Sequence, residues 1–561
     1  MSLISSFNLT EKVIFGIFAV LLFISAIVLL SRVNAYFTVE VPDYGGSLTE
    51  GIIGTPRFIN PLLAVSDIDR DLSVLVYSGL LRTSADNTLI PDLGSCTVSG
   101  NNLVYTCVIK PKAKFQDGTP VTADDVLFTI AEAEDPTLQS PRKTNWDGVQ
   151  AEKIDSQTVQ FTLKQPYAPF MQNLTLGILP KHIWKNVSSE EFSFSQYNLK
   201  PVGSGPYTVE SVGYSGSGLP NQYHLVSNSS YILGRPYISD LFIQSFQNET
   251  DLVNAYKNGG IESMYGITPK VLASLKIPAQ NILLSPLPRV FGVFFNQNVA
   301  PVFVNKEVRE ALNAATDKQA IVNQVLGGYG QAIDGPVPPD TVGNAGSDTF
   351  SQDSITAAKN ILINAGWKQN ADGIFQKTDK KTKNVTTLAF SISTGDAPEL
   401  RDTAYLLQKQ WQALGAQVDV KIFQTSDLNQ NVIQPRKYDA LLFGEVIGSN
   451  TDLYPFWHSS QRQSPGLNIA LYTNIKADKL LEEMRKTTDP AAEQSLYKQF
   501  DKEISNDMPA VFTYSPYFIF VSPSKVHNVQ LGTLNTASDR FSNVYQWYIE
   551  TNNVWSIFIK K

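Results

Sequence analysis

The chain has 561 residues, 43% hydrophobic and only 17% charged, and its 30 Phe and 23 Tyr supply apolar mass for more than one core. A formal net charge of −7, with no Lys/Arg cluster, argues against a nucleic-acid partner. The two cysteines are compatible with an oxidising compartment.

In chain order, the first feature is Val13 to Leu30, which contains no charged residue and is bracketed by Lys12 and Arg32. About eighteen helical residues span ~27 Å at ~1.5 Å each, close to the ~30 Å hydrocarbon core of a bilayer. The run is just long enough to cross a membrane. Val33-Asn34-Ala35 also fits a small-residue cleavage site, but the apolar run exceeds a usual signal h-region and Arg32 lies beside that site. An uncleaved transmembrane anchor over residues 1–35 is therefore expected. No cysteine follows closely enough to carry a lipid, and the single Lys12 gives little orientation signal.

Tyr36 to Gly46 reads as a linker and Ser47 to Ile53 as the first strand of the body. Gly100, Asn101 and Asn102 lie midway between Cys96 and Cys107, so a hairpin there sets the two thiols opposite each other. A disulfide is expected across it, with a pair of free buried thiols as the alternative. The stretch Leu103 to Asp135 then gives a strand, a basic turn, Phe115-Gln116-Asp117-Gly118-Thr119-Pro120, and a helix opened by Thr122 with Asp125 three residues later. That is a variant capping box running into Val126, Ile130 and Ala133 at helical spacing. Further on, Leu241 to Phe246 is a strand, Glu249 to Asn258 a helix stopped by Gly259-Gly260, and Val290 to Phe295 another strand. Ser354 to Ala365 is a helix with Ile355, Ala358, Leu362 and Ala365 as its stripe, ended by Gly366. Alternation of this kind favours an α/β architecture.

The Leu103–Asp135 stretch resembles the signature of solute-binding protein family 5, the extracytoplasmic receptors of peptide and nickel ABC importers. Other segments resemble family blocks in the same order: Val202-Gly203-Ser204-Gly205-Pro206-Tyr207, Asn228 to Tyr237, Phe303 to Gly328, and Asp489 to Pro509. The resemblance implies an α/β, two-lobed, periplasmic binding protein-like fold (type II, cluster C) with an extra subdomain, here behind one transmembrane helix. Lobe one would comprise residues 47–72, 201–288 and 509–561, the extra subdomain 73–200, and lobe two 289–508. The body would lie outside the cytoplasm, as a monomer that captures oligopeptides and hands them to ABC permease subunits. Nickel chelate, haem or oligosaccharide are alternative cargoes, and a sensor or structural envelope protein with a degenerate cleft is an alternative of another class.

No P-loop, Gly-x-Ser-x-Gly elbow or His-Glu-x-x-His helix occurs, so no catalytic residue is assigned, nor any cofactor or metal. His182, His224, His458 and His527 are scattered, and the adjacent acids Asp124/Asp125 and Glu482/Glu483 do not face each other on a helix. For a peptide the physics asks for an anion to meet the amine and a cation to meet the carboxylate. In the family the ammonium is met by an acid in a segment resembling Gly444 to Ser459, which points to Asp452; a helix N-cap is its other reading. Glu445 and Ser449 stand near the places of the family's more typical tryptophan and second acid. Arg401 would pair with a ligand carboxylate or form a surface ion pair. Thr55, Arg57 and Phe58, with Phe291 and Phe295, resemble strand ends that line the cleft, although core packing also accounts for the phenylalanines.

Overall fold

The computed structural model describes residues 8–339, 350–448, 451–487 and 489–558. The amino-terminal helix, Leu9–Phe37, is closed at its start by a capping box in which Glu11 N–H donates to Asn8 Oδ1 (3.0 Å) and Asn8 N–H to Glu11 Oε2 (2.8 Å). Its most apolar eighteen residues have a mean hydropathy of 3.1, and no residue of the helix is buried against the body. Where the sequence suggested a linker, the chain instead enters a strand, Thr38–Pro42, paired antiparallel with Thr551–Trp555. The alternating Thr38-Val39-Glu40-Val41 suits an extended backbone, which composition alone had concealed.

The body is α/β and two-lobed. One long strand, Ala510–Val521, serves both halves. Its first residues pair with Arg289–Phe295, whose other edge carries Ala440–Val446, Ala389–Gly395 and Gln417–Phe423. Its later residues pair with Ile282–Pro286 and Ser263–Tyr265, leading to Gly45–Ile53, Ile238–Phe246, Pro220–Ser227 and Tyr207–Tyr214. The boundary expected at residue 509 thus falls just ahead of a strand shared by the two sides. The buried clusters divide at the same crossings: two of them draw on residues from Val290 to Tyr514, whereas the cluster built on Leu48 runs to Leu287 and resumes at Phe518.

Within the 73–200 segment, Gly94–Val98, Val104–Ile109, Thr158–Leu163 and Val149–Lys153 form a four-stranded antiparallel sheet. Tyr105, Cys107, Val159 and Phe161 point inward and their neighbours outward, the alternation of a sheet with one wet face. Helix Ala123–Glu134 covers that inner face with Val126, Ile130 and Ala133. Asp125 caps it by accepting from Thr122 N–H (2.8 Å) and also holds the Lys181 N–H (2.9 Å). These side chains belong to the same buried cluster as Leu48 and Tyr207, so the segment shares one continuous core with the first lobe.

Cys96 faces Cys107 in the hairpin register with Cα atoms 4.1 Å apart, and their sulfurs are bonded. The turn closes through Ser99 N–H to Val104 O (2.8 Å), with Asn102 in the left-handed region at φ 56°.

Two of the sequence blocks lock onto each other. Gln116 N–H donates to Gly203 O (2.8 Å), Gly203 N–H to Gln116 Oε1 (3.0 Å), and Gln116 Nε2 to Tyr207 O (2.7 Å). Glycine is required at 203 because a Cβ there would lie 2.0 Å from Val76 O. Elsewhere Arg309, in the Lys306–Ala314 helix, is buried and donates to Asp507 O and Met508 O, satisfying carbonyls at the end of helix Pro490–Asp507. Arg540 is fully buried between Glu50 (2.5 Å) and Asp71 (2.8 Å), tying the carboxy-terminal segment to the first strand and helix of the body.

Candidate functional site

A cleft of about 970 Å³ opens between the two halves. One wall comes from Asp86–Leu89, Ala168, Pro169, Met171, Gln172 and Thr533, the opposite wall from Pro338, Pro339, Thr451–Tyr454, Met484, Arg485, Glu493, Gln494 and Tyr497. Leu287 and Pro288, where the chain crosses between the halves, lie on its surface. Its volume is that of a ligand site rather than a packing defect.

The second wall is organised around Arg485. Its Nε and Nη2 donate to the Asp452 carboxylate at 3.0 and 2.6 Å, a two-point pairing, and its guanidinium lies 3.9 Å from the Tyr454 ring centre. Asp452 also accepts from Tyr454 N–H (3.2 Å) while lining the cleft, but the N-cap of the helix Tyr454–Trp457 is Leu453, so Asp452 makes a local turn ahead of the helix and is not its N-cap. Arg485 reaches the opposite wall as well: its carbonyl accepts from Ala168 N–H (3.1 Å), and its guanidinium lies 5.9 Å from the Tyr167 ring. Among the described lining residues, three acids, Asp86, Asp452 and Glu493, accompany one base, Arg485. Hydrogen bonds from Ser84 and then Thr88 hold the Asp86 carboxyl below its ordinary range, keeping it charged. Burial pushes Glu493 up, and its carboxylate sits 3.0 Å from the Tyr497 hydroxyl. The cleft therefore carries an excess of negative charge and favours a cationic group.

Of the seven candidate ligand residues, Asp452 alone lines this cleft. Thr55 accepts from Gln247 Nε2 (3.3 Å), and Arg57 is exposed, its N–H and that of Phe58 donating to Asp69 Oδ1 (2.7 and 3.0 Å). Phe291 stacks on Tyr514 at 4.8 Å, and Phe295 is fully buried against Phe303 at 4.4 Å, so core packing accounts for both. Arg401 is a surface residue 3.6 Å from Asp402. Glu445 is also turned inward, accepting from Trp457 Nε1 (3.1 Å), and Ser449 lies outside the described residues. Sequence reasoning missed Arg485, Glu493, Tyr497 and Asp86, because no spacing links residues that only tertiary folding brings together.

No three His, Cys, Asp or Glu side chains converge as a metal site among the described residues. His182 and His224 each sit 2.7 Å from an aspartate, and His458 lies near Asp478 and Glu482.

Residues 60–465 match the profile of the bacterial extracellular solute-binding proteins, family 5 Middle. The chain belongs to that family. This solute-binding protein is 29% identical over 487 residues to the oligopeptide-binding protein AppA of Bacillus subtilis, covering 85% of this chain and 87% of AppA. The structure of Bacillus subtilis AppA in complex with a nonapeptide superposes with a TM-score of 0.66 at 27% identity, covering 91% of this chain and 100% of that one. The substrate-binding protein CtaP of Listeria monocytogenes superposes at 0.74 with 26% identity, over 90% of this chain and 100% of CtaP. NikZ of Campylobacter jejuni, solved with Ni(L-His), gives 0.68 at 25% identity, over 90% and 99% of the two chains.

Proposed function

We propose that this solute-binding protein is a membrane-anchored receptor that captures oligopeptides in the cleft between its lobes and delivers them to an ABC permease. The observation that carries the reading is the cleft itself: about 970 Å³, walled from both lobes, and with more acids than bases on its lining. A peptide's amino terminus is the cation such a lining suits, and AppA, solved around a nonapeptide, is a relative along most of its length. The lobe division expected from the sequence, 47–72, 201–288 and 509–561 against 289–508 with 73–200 added to the first, places a hinge beside Leu287 and Pro288. Closure about it would bring the walls onto a ligand, and no bond is made or broken.

Within this reading Asp452 offers its carboxylate to the ligand's ammonium, with Arg485 as the resident partner that must share it. The amino-terminal helix, with a charge-free span matched to a bilayer, is the uncleaved anchor that holds the receptor to the outer face of the membrane. The test is titration calorimetry of the purified body with a graded series of peptides and with nickel–histidine. Saturable peptide binding, the peptide recovered intact, is expected; binding of the nickel chelate and of no peptide would replace this cargo with another.

A further inference from the structure

The pairing of Thr38–Pro42 with Thr551–Trp555 returns the carboxy-terminal chain to the foot of the amino-terminal helix. Because the strands are antiparallel and Thr38 faces Trp555, Ser556–Phe558 follow on the side of the last turn of that helix. Trp555 Nε1 donates to Asn34 Oδ1 (2.9 Å), its ring stacks on Phe37 at 5.8 Å, and Phe37 meets Tyr36 edge-on at 5.2 Å. Tyr36, Ile557 and Phe558 are 83%, 73% and 72% exposed, and Phe37 and Trp555 are also uncovered. Two segments from opposite ends of the sequence thus place five large apolar or aromatic side chains at one end of the body.

The position of that cluster along the helix says what covers it. With Val13–Leu30 in the hydrocarbon, Asn34 stands about 6 Å beyond Leu30 and Phe37 about 10 Å, from the helical rise. The headgroup layer on each side of a bilayer is roughly 5–8 Å thick, so Trp555, bonded to Asn34, falls within it. Tyr and Trp favour that layer because one end of each ring system is apolar and the other hydrogen-bonds. Arg32, between Leu30 and Asn34, extends its charged head toward lipid phosphates from the same level.

We propose that Trp555, Ile557 and Phe558, with Tyr36 and Phe37 at its outer edge, form a collar seated in the headgroup layer of the bilayer that the chain's own helix crosses. The receptor is then held at the membrane by both chain ends and not by a free tether. This rests on reading the helix as an uncleaved anchor. The test uses the full-length protein in phosphatidylcholine/phosphatidylglycerol vesicles, with the Cys96–Cys107 bond intact and one nitroxide per sample at Leu22→Cys, Phe558→Cys or Phe194→Cys. Phe194 is 87% exposed in the 73–200 segment and serves as the aqueous reference. Power saturation with oxygen and with a water-soluble nickel chelate should place Leu22→Cys in lipid and give Phe558→Cys an oxygen-to-chelate accessibility ratio several-fold above that of Phe194→Cys. Equal ratios at 558 and 194, with Leu22→Cys still in lipid, would overturn the collar and leave the anchor standing. An aqueous reading at Leu22→Cys would overturn both.

Discussion

Asp452 sits where two demands meet, since it fixes Arg485 over Tyr454 and also faces the cleft. Removing one partner of a buried charge pair costs several kcal/mol because the other is left unpaired; the Arg485 pairing bears that cost with or without ligand, whereas a ligand ammonium bears it only when bound. Asp452→Asn keeps the shape and removes the charge, so it is expected to weaken free-amine peptides by about 30-fold, the equivalent of roughly 2 kcal/mol, while amino-acetylated peptides change little. Calorimetry on matched peptide pairs checks this, and equal loss for both would reduce Asp452 to a buttress for Arg485. Glu445 gives a second residue-level expectation. Burial pushes its carboxyl well above the usual range, relieved in part by the Trp457 indole N–H. An acid with a raised folded-state pKa binds more protons folded than unfolded, so its effect on stability is least harmful below about pH 4.5 and worsens as pH rises toward the folded value. Each pH unit in that window costs about 1.4 kcal/mol. Glu445→Gln should therefore melt higher than the parent chain at pH 7 and close to it near pH 4; a variant that melts lower at pH 7 would contradict a buried, strained carboxyl.

The Cys96–Cys107 hairpin and the Thr122-capped helix are the elements most fully legible in the sequence. Each is specified by neighbours: turn residues midway between two strands, or a cap three residues from its partner. The closed loop is short, so the disulfide should add about 2–4 kcal/mol by restricting the unfolded chain. Thiol titration of the denatured, unreduced protein should find no free sulfhydryl, and two would contradict the bond. The strand Arg289–Phe295 shows where legibility ends. It is apolar on both faces because both are covered, so no alternation marks a cleft side, and Phe295 proves to be core. The strand Thr38–Pro42 was hidden for a related reason: its partner lies at the far end of the chain, in Thr551–Trp555. Order of motifs conveyed the fold, whereas the cleft walls depend on long-range packing that local spacing does not encode.

At the scale of the whole molecule, the two halves have separate buried clusters and are joined where Pro286 to Arg289 runs beside the middle of the strand Ala510–Val521. In the proposed reading the lobes would rotate about this crossing, and the cleft opens directly over Leu287 and Pro288. Contacts such as Ala168 N–H to Arg485 O are the kind that closure makes and opening breaks. A receptor built this way retains its cargo by enclosure, which makes the cargo itself the most informative observable. Native mass spectrometry of the full-length protein, released gently from the membrane of its own host, tests the central claim most directly. The account predicts added masses that dissociate on denaturation and sequence as short peptides. A nickel–histidine mass, or a bare protein that takes up nothing from a complex peptide digest, would contradict it.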